Sequence, residues 1–351
     1  MEAPLAQLKT GEPAPGLAAG VSTAQGNVRI TVVVPVLNAM RFLPRTVPSL
    51  LEAAENTDGV ELVYVDNGST DGSYEYLTSL ARKGIGVQRL ERRSNELARN
   101  LSAAARNFGA RQTDSQFLSF LDADCMVAKN YFNEALGVLQ STGAAATGCE
   151  TKAPPDRHWI EATWQDLHYV GRDRDVHYLN SGNFFISRKA FEHVGGFRDD
   201  LPSGADAEIG QRLTIAGYRI YESPAVAAID LGLPKSVREF YRRNVWHGLG
   251  MFGTVNRRRI DKPTAMMTMH LLAALAGLIV LIGGPFSLSV RLLIALLAQL
   301  AVPGVTVVYR AGQTGRVTRL AEGIVLYWLY YWARLQALAL VVGGKSFRYA
   351  K

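Results

Sequence analysis

Asp122-Ala123-Asp124 closes the apolar run Phe117-Leu118-Ser119-Phe120-Leu121, so two carboxylates one residue apart stand where a buried strand meets a loop. Mg2+ and Mn2+ prefer oxygen ligands and usually take one or two carboxylates together with substrate phosphates. The triplet therefore suits a divalent cation carrying a diphosphate, while a solvated loop or a helix cap would use the same residues. Other carboxylates stand at comparable places. Asp66 ends the run Glu61-Leu62-Val63-Tyr64-Val65 and opens Asp66-Asn67-Gly68-Ser69-Thr70-Asp71-Gly72, which is also strong turn chemistry. Asp206 and Glu208 stand at the start of a helical stretch reaching Ala216. An Asp there either caps the helix or takes a proton from a hydroxyl within hydrogen-bond reach. Asp230 follows Ala225-Val226-Ala227-Ala228-Ile229, a fifth apolar run.

The elements that must position these groups alternate strand with helix. Val28 to Val34 is a β-branched run stopped by Pro35, as in a buried parallel strand. Leu43, Val47, Leu50, Leu51 and Ala54 repeat at helical spacing, and Asp71-Gly72 opens a short helix through Tyr74, Leu77 and Leu80. Gly86 to Leu90 reads as a third strand, Leu97 to Ala110 as a helix, and Phe117 to Leu121 as a fourth strand. This rhythm predicts an α/β fold built on a doubly wound, mostly parallel sheet. Ligands of such sheets bind beyond the carboxyl ends of the strands, where Asp66 and Asp122 both fall.

The formal charge is +7 and unevenly placed. Arg242-Arg243 and Arg257-Arg258-Arg259 precede a long apolar region, which fits an anionic membrane surface better than a nucleic-acid polymer. Met266 to Gly284, Leu292 to Tyr309 and Gly323 to Gly344 are apolar stretches near the ~20 residues that cross a bilayer. The third carries Arg334 and a crowd of Tyr and Trp, which leaves it either crossing the bilayer or lying at its interface. Arg310, Arg316 and Arg319 between the second and third stretches put that loop and the N-terminal domain inside by the positive-inside rule. Residues 1–27, rich in Ala, Pro and Gly and without a signal-peptide pattern, read as a disordered leader. The expected organisation is that leader, an α/β domain over 28–262, and a membrane region over 263–351 with two or three transmembrane helices. Cys125 and Cys149 form no metal or disulfide framework.

Five motifs in order resemble the family 2 glycosyltransferases, enzymes of the GT-A fold that use nucleotide sugars. They are Val32-Val33-Val34-Pro35-Val36-Leu37-Asn38, Val65-Asp66-Asn67-Gly68-Ser69-Thr70-Asp71-Gly72-Ser73, Ala105-Arg106-Asn107-Phe108-Gly109, Phe120-Leu121-Asp122-Ala123-Asp124, and Val194-Gly195-Gly196-Phe197-Arg198-Asp199 followed by Asp206 to Leu213. The resemblance implies that Pro35, Asn38, Asp66 and Asn67 line the nucleotide end of the sheet. It implies that Arg106 meets the pyrophosphate or pairs with a site carboxylate, an ordinary surface ion pair being the other reading. Asp124 would be the main ligand of a divalent metal, Mn2+ or Mg2+, and Asp122 would hold ribose or metal. Asp230, where the family often has His, and His247 are candidates to complete the coordination. Asp206 would be the catalytic base, with Glu208 as fallback. Gly182, before Phe184-Phe185-Ile186, would let backbone approach the donor sugar or simply make a turn.

Three departures qualify the likeness: Asn67 stands for a second Asp, Ala205 for Glu, and Arg243 with Trp246 breaks the Gln-x-x-Arg-Trp signature of processive synthases. The expected activity is inverting, metal-dependent transfer of one sugar from a nucleotide-diphosphate donor. The acceptor would be lipid-linked or an envelope or exopolysaccharide glycan at the cytoplasmic (inner) membrane, with the catalytic domain in the cytoplasm. The alternatives are a noncatalytic nucleotide-sugar-binding member that supports a polysaccharide assembly complex, and a flippase subunit. Few apolar segments and no paired intramembrane charges count against the last.

Overall fold

The computed structural model describes residues 28–81, 84–90, 101–169, 171–201, 203–254 and 262–344. The expected leader, the start of the helix expected at Leu97 and the arginines 257–259 lie outside these residues. In chain order the elements begin with β1 (Ile30–Val36), α1 (Leu43–Glu55), β2 (Val60–Asp66), α2 (Ser73–Ser79), β3 (Ile85–Arg89) and α3 (Leu101–Ala110). Next come β4 (Phe117–Leu121), β5 (Cys125–Met126), α4 (Tyr131–Thr142), β6 (Ala146–Gly148), α5 (Trp159–His168), β7 (Arg174–Asp175), β8 (Asn183–Ser187) and α6 (Arg188–His193). The remainder is α7 (Ala205–Ile215), β9 (Ile220–Glu222), β10 (Ile229–Asp230), α8 (Val237–Thr254), α9 (Lys262–Gly283), α10 (Leu288–Thr314) and α11 (Leu320–Val342). The chain packs as two compact units: Met1–Lys152 with Gly171–Leu201 and Ala205–Gly232, and Ala153–Val170 with Pro202–Gly204 and Leu233–Lys351. The domain boundary expected at 262 thus falls inside the second unit, which also takes in α5 and α8.

The first unit is built on an eight-stranded sheet in the order β3-β2-β1-β4-β8-β6-β9-β7. β3, β2, β1 and β4 are parallel, whereas β8 inserts antiparallel between β4 and β6. β1 shows why its residues read as an unbroken apolar run: it is buried on both faces. Ile30, Val32, Val34 and Val36 pack with α1 and α4 residues such as Leu43, Leu50 and Phe132, while Val33 joins α3 and Phe120 on the opposite face. Pro35 does not end β1, as the sequence suggested; it pairs in register with Val65. The register with β4 stops at Val33–Phe120, so no described β4 partner is deprived by the missing N–H of Pro35. The run expected as a strand at 225–229 is also different. Pro224–Val226 forms a 3-10 turn, and the strand is confined to Ile229–Asp230, antiparallel to Cys125–Met126. Pro224 presets a turn φ and cannot donate to a ladder.

In the second unit, α9, α10 and α11 contain 22, 27 and 23 residues and are long and apolar enough to cross a membrane. At 1.5 Å per residue each exceeds the ~30 Å hydrocarbon core. Pro303 lies inside α10 without ending it. α5 opens with a capping box, in which His158 N–H donates to Glu161 Oε2 at 2.5 Å.

Candidate active site

The loops after β1 and β2 are laced together at the carboxyl end of the sheet. Asn38 takes a positive φ of 51°, which Asn tolerates better than most residues. Its N–H donates to Ser69 Oγ at 3.0 Å, and its Oδ1 accepts from Thr70 N–H at 2.9 Å. Ala39 N–H donates to Ser73 Oγ and Met40 N–H to Asp71 Oδ2, both at 2.9 Å. Burial works against ionisation of Asp71, but hydrogen bonds from Ser73 and Met40 prevail and hold its carboxyl below the usual range. Asp66 is fully buried and accepts from Gly68 N–H at 3.0 Å and Ser69 N–H at 3.2 Å. The turn reading of this residue is therefore realised, and Arg89 Nε stands 3.5 Å from the same carboxylate. Asn67 is buried, donates from Nδ2 to Leu101 O at 3.2 Å, and leaves Oδ1 without a partner among the described residues.

α3 brings Arg106 to the end of β4. A Cβ on Gly109 would overlap Val33 and come within 3.1 Å of Val65, so the bare glycine lets the helix lie close on the sheet. One turn earlier, Arg106 is only 4% exposed. Its Nη2 donates to Asp122 Oδ1 at 2.5 Å and its Nη1 to Ser102 Oγ at 2.8 Å. Only the arginine end of this pair is buried, since the Asp122 side chain stays 34% exposed. Asp122 N–H donates to Gly182 O at 3.2 Å, and a Cβ on Gly182 would stand 2.6 Å from Asp122 Oδ2. The Gly182 turn is pinned by Asn180 Oδ1, which accepts its N–H at 2.8 Å, and by buried Asn183, which receives a 2.6 Å bond from Tyr131 Oη.

Asp206 lies in the first turn of α7 rather than before it, and Ala205, the departure from the family pattern, packs into the core with Ile209 and Leu213. Asp206 Oδ1 accepts Ala207 N–H at 2.9 Å. Burial pushes its carboxyl above the usual range; the nearby Asp122 charge adds to this, whereas Ala207 N–H and Arg106 oppose it. Asp206 thus senses both members of the Arg106–Asp122 pair. Glu208 is engaged elsewhere: both oxygens bind Arg212, at 2.7 and 2.6 Å, which removes it as a ready fallback base. Arg212 also donates to Val194 O and, at 2.7 Å, to Gly196 O.

Asp124 is buried, and a Cβ on Gly232 would overlap its carboxylate. The β5–β10 ribbon sets Asp230 opposite Cys125, and Asp230 Oδ1 accepts Gly232 N–H at 2.7 Å. Among the described residues no three His, Cys, Asp or Glu side chains come together as a metal-ligating group. The expected set of Asp122, Asp124, Asp230 and His247 is therefore not assembled as a ready cage. Arg106 draws Asp122, and Gly232 engages Asp230. Two carboxylates at one strand end, one of them reachable from solvent, still form a donor set that fits a hard divalent ion completed by phosphate oxygens.

The sequence reading missed the reciprocal bridge of Asn107, whose Nδ2 donates to Phe197 O at 2.7 Å and whose Oδ1 accepts Phe197 N–H at 2.9 Å. The motif Ala105 to Gly109 contained the residue but no signal of its partner. Phe197 in turn lies under the Arg106 guanidinium, 5.8 Å from ring centre to Cζ. Gly232 carried no sequence signal of its closeness to Asp124.

A parallel-sheet block with a carboxylate pair at its end places the protein in the α/β class, and comparison narrows it. Residues 31–195 match the Glycosyl transferase family 2 model, and 117–307, more than half of the chain, match Glycosyl transferase family group 2. The chain belongs to the family 2 glycosyltransferases. It is 25% identical over 195 residues to glycosyltransferase AglE of Haloferax volcanii, covering 54% of this chain and 63% of that protein. It is 28% identical over 281 residues to the pre-mycofactocin glycosyltransferase of Mycobacterium tuberculosis, covering 76% and 56% respectively. The match thus spans less than two thirds of either curated relative. The mannosyltransferase PcManGT from Pyrobaculum calidifontis, solved in complex with GDP-Man and Mn2+, superposes with a TM-score of 0.58. That superposition covers 92% of this chain and 89% of that one at 20% identity, a likeness of GT-A fold.

Proposed function

We propose that the chain transfers one sugar, with inversion, from a nucleoside-diphosphate donor to a hydroxyl of a lipid-linked or envelope glycan acceptor at the cytoplasmic face of a membrane. One arrangement carries this reading: Asp206, a carboxylate with raised pKa, beside the half-buried Arg106–Asp122 pair. A base works best when its pKa is lifted toward the working pH. Asp206 takes the proton of the acceptor hydroxyl as that oxygen bonds to the anomeric carbon and the bond to the diphosphate oxygen breaks. A single displacement of this kind inverts the anomeric centre. Arg106 orients Asp122, and the stitched loops of Asn38, Asp66 and Asp71 supply a rigid wall for the nucleotide. The unpartnered Oδ1 of Asn67 suits an N–H of the base. Asp124 with Asp122 would hold Mn2+ or Mg2+, which when bound neutralises charge on the departing nucleoside diphosphate. The Mn2+ and GDP-Man of PcManGT support a metal and a nucleotide sugar as ligands. The apolar helices α9 and α10 support a membrane-borne acceptor.

The test is a panel of nucleotide sugars, with and without Mn2+, scored by thermal shift and then by transfer. A ligand bound to the native state raises its melting temperature. We expect one donor to stabilise the protein in a metal-dependent way and to be turned over. Asp206→Asn should keep the shift and lose transfer. Stabilisation without any turnover by the unaltered protein would favour the noncatalytic alternative.

A further inference from the structure

Among the described residues three helices are long enough to cross a bilayer, but α11 differs from the other two in what surrounds it. Its aromatic crowd, Tyr327 to Trp332, lies at its middle rather than at its ends, followed directly by Arg334 and Gln336. A spanning helix carries Tyr and Trp in belts at both interfaces and avoids charge at its centre. α8 runs beside α11 in the same direction. Phe240 packs with Leu326 at one end, and Val245 and Leu249 pack with Ala333 and Ala337 further on. The approach is close, since a Cβ on Gly248 would stand 2.5 Å from that of Ala337 and 3.3 Å from Arg334 Cδ. From Leu326 to Ala337 the pairing extends over roughly 16 Å of helix at 1.5 Å per residue.

α8 cannot share hydrocarbon depth over that length, because it carries Arg238, Glu239, Arg242, Arg243 and His247. A spanning α11 would pull Arg242 and Arg243 inward together with its own Arg334. The first half of α11 is covered by another polar helix. Trp164 of α5 meets Phe240, Tyr327 and Tyr330, and Tyr327 Oη lies 2.9 Å from His168 Nε2. Asp166 of α5 pairs with Arg316 at 3.0 Å, just before α11. Exposed large apolar side chains are more numerous on α9 and α10, among them Ile279, Ile282, Leu293, Leu297 and Val308, than on α11, where they are Leu320, Val325, Val341 and Val342.

We infer that α11 lies along the membrane–water interface beside α8, and that α9 and α10 form the spanning hairpin. The partner of this helix pair is the headgroup boundary, which suits the charged residues of α8 and Arg334 of α11. Residues before α9 and after α10 then share one side of the membrane, whether or not Asp206 is a catalytic base.

The experiment uses the full chain and a dual reporter of alkaline phosphatase with a β-galactosidase fragment, which gives a positive signal in either compartment. It is placed before Met1, after Lys351, or between Phe286 and Ser287. The two terminal reporters should report one compartment and the internal one the other. A C-terminal reporter that shares the compartment of the internal one overturns the interfacial assignment. An internal reporter on the same side as the N-terminal one overturns the spanning hairpin.

Discussion

Arg106 and Asp122 form a 2.5 Å ion pair in which the arginine is buried and the carboxylate is not. This asymmetry lets Asp122 face a ligand while being held in one orientation. Arg106→Ala should lower turnover at least 100-fold and cost about 2 kcal/mol, below the full penalty for breaking a buried pair because Asp122 can rehydrate. Kinetics and thermal melts of the variant check both effects, and Arg106→Lys should rescue little because the two-point hold on Asp122 and Ser102 is lost.

Asp206→Asn should reduce transfer by about 10²–10⁴, the usual contribution of a general base, with donor binding intact. The base works ionised and its pKa is raised, so the rate should climb with pH through a value above the ordinary aspartate range. That acid limb should vanish in the variant. A pH–rate profile that keeps it would assign the limb to another group.

Gly232→Ala would drive a methyl into the Asp124 carboxylate. We expect far-UV circular dichroism to be unchanged and the apparent affinity for Mn2+ to fall at least tenfold, measured by metal titration of the donor-dependent thermal shift. Gly182→Ala, which crowds Asp122 instead, should weaken donor binding more than metal binding.

Asn107→Ala removes both bonds to the Phe197 backbone and should lower stability by about 2 kcal/mol, two hydrogen bonds being lost. Since Phe197 underlies Arg106, turnover should fall as well. A denaturant titration alongside steady-state kinetics measures the two effects.

The lowered pKa of Asp71 makes stability depend on pH. A carboxylate with a depressed folded-state pKa stabilises fully above its unfolded pKa and loses that contribution as pH falls through the folded value. The melting-temperature gap between the native chain and Asp71→Asn should therefore be widest near neutrality and close in acid. A gap that stays constant with pH would separate Asp71 from the stitching of Met40 and Ser73.

What the sequence determined by itself was local. Apolar runs of period two or continuous burial marked β1, β2 and β4, Gly and Asp chemistry marked the turn from Asp66 to Gly72, and length with hydropathy marked α9 and α10. These features are written in residues a few positions apart, so no partner need be known. The carboxylates at strand ends were legible for the same reason. Tertiary structure decided which groups meet. Arg106 finds Asp122 16 residues away because Gly109 sets the depth of α3, and Asn107 finds Phe197 across 90 residues. It also turned β8 antiparallel beside β4 and grouped α5 and α8 with the apolar helices. Such pairings depend on how one element docks on another, and no periodicity within either element encodes that distance.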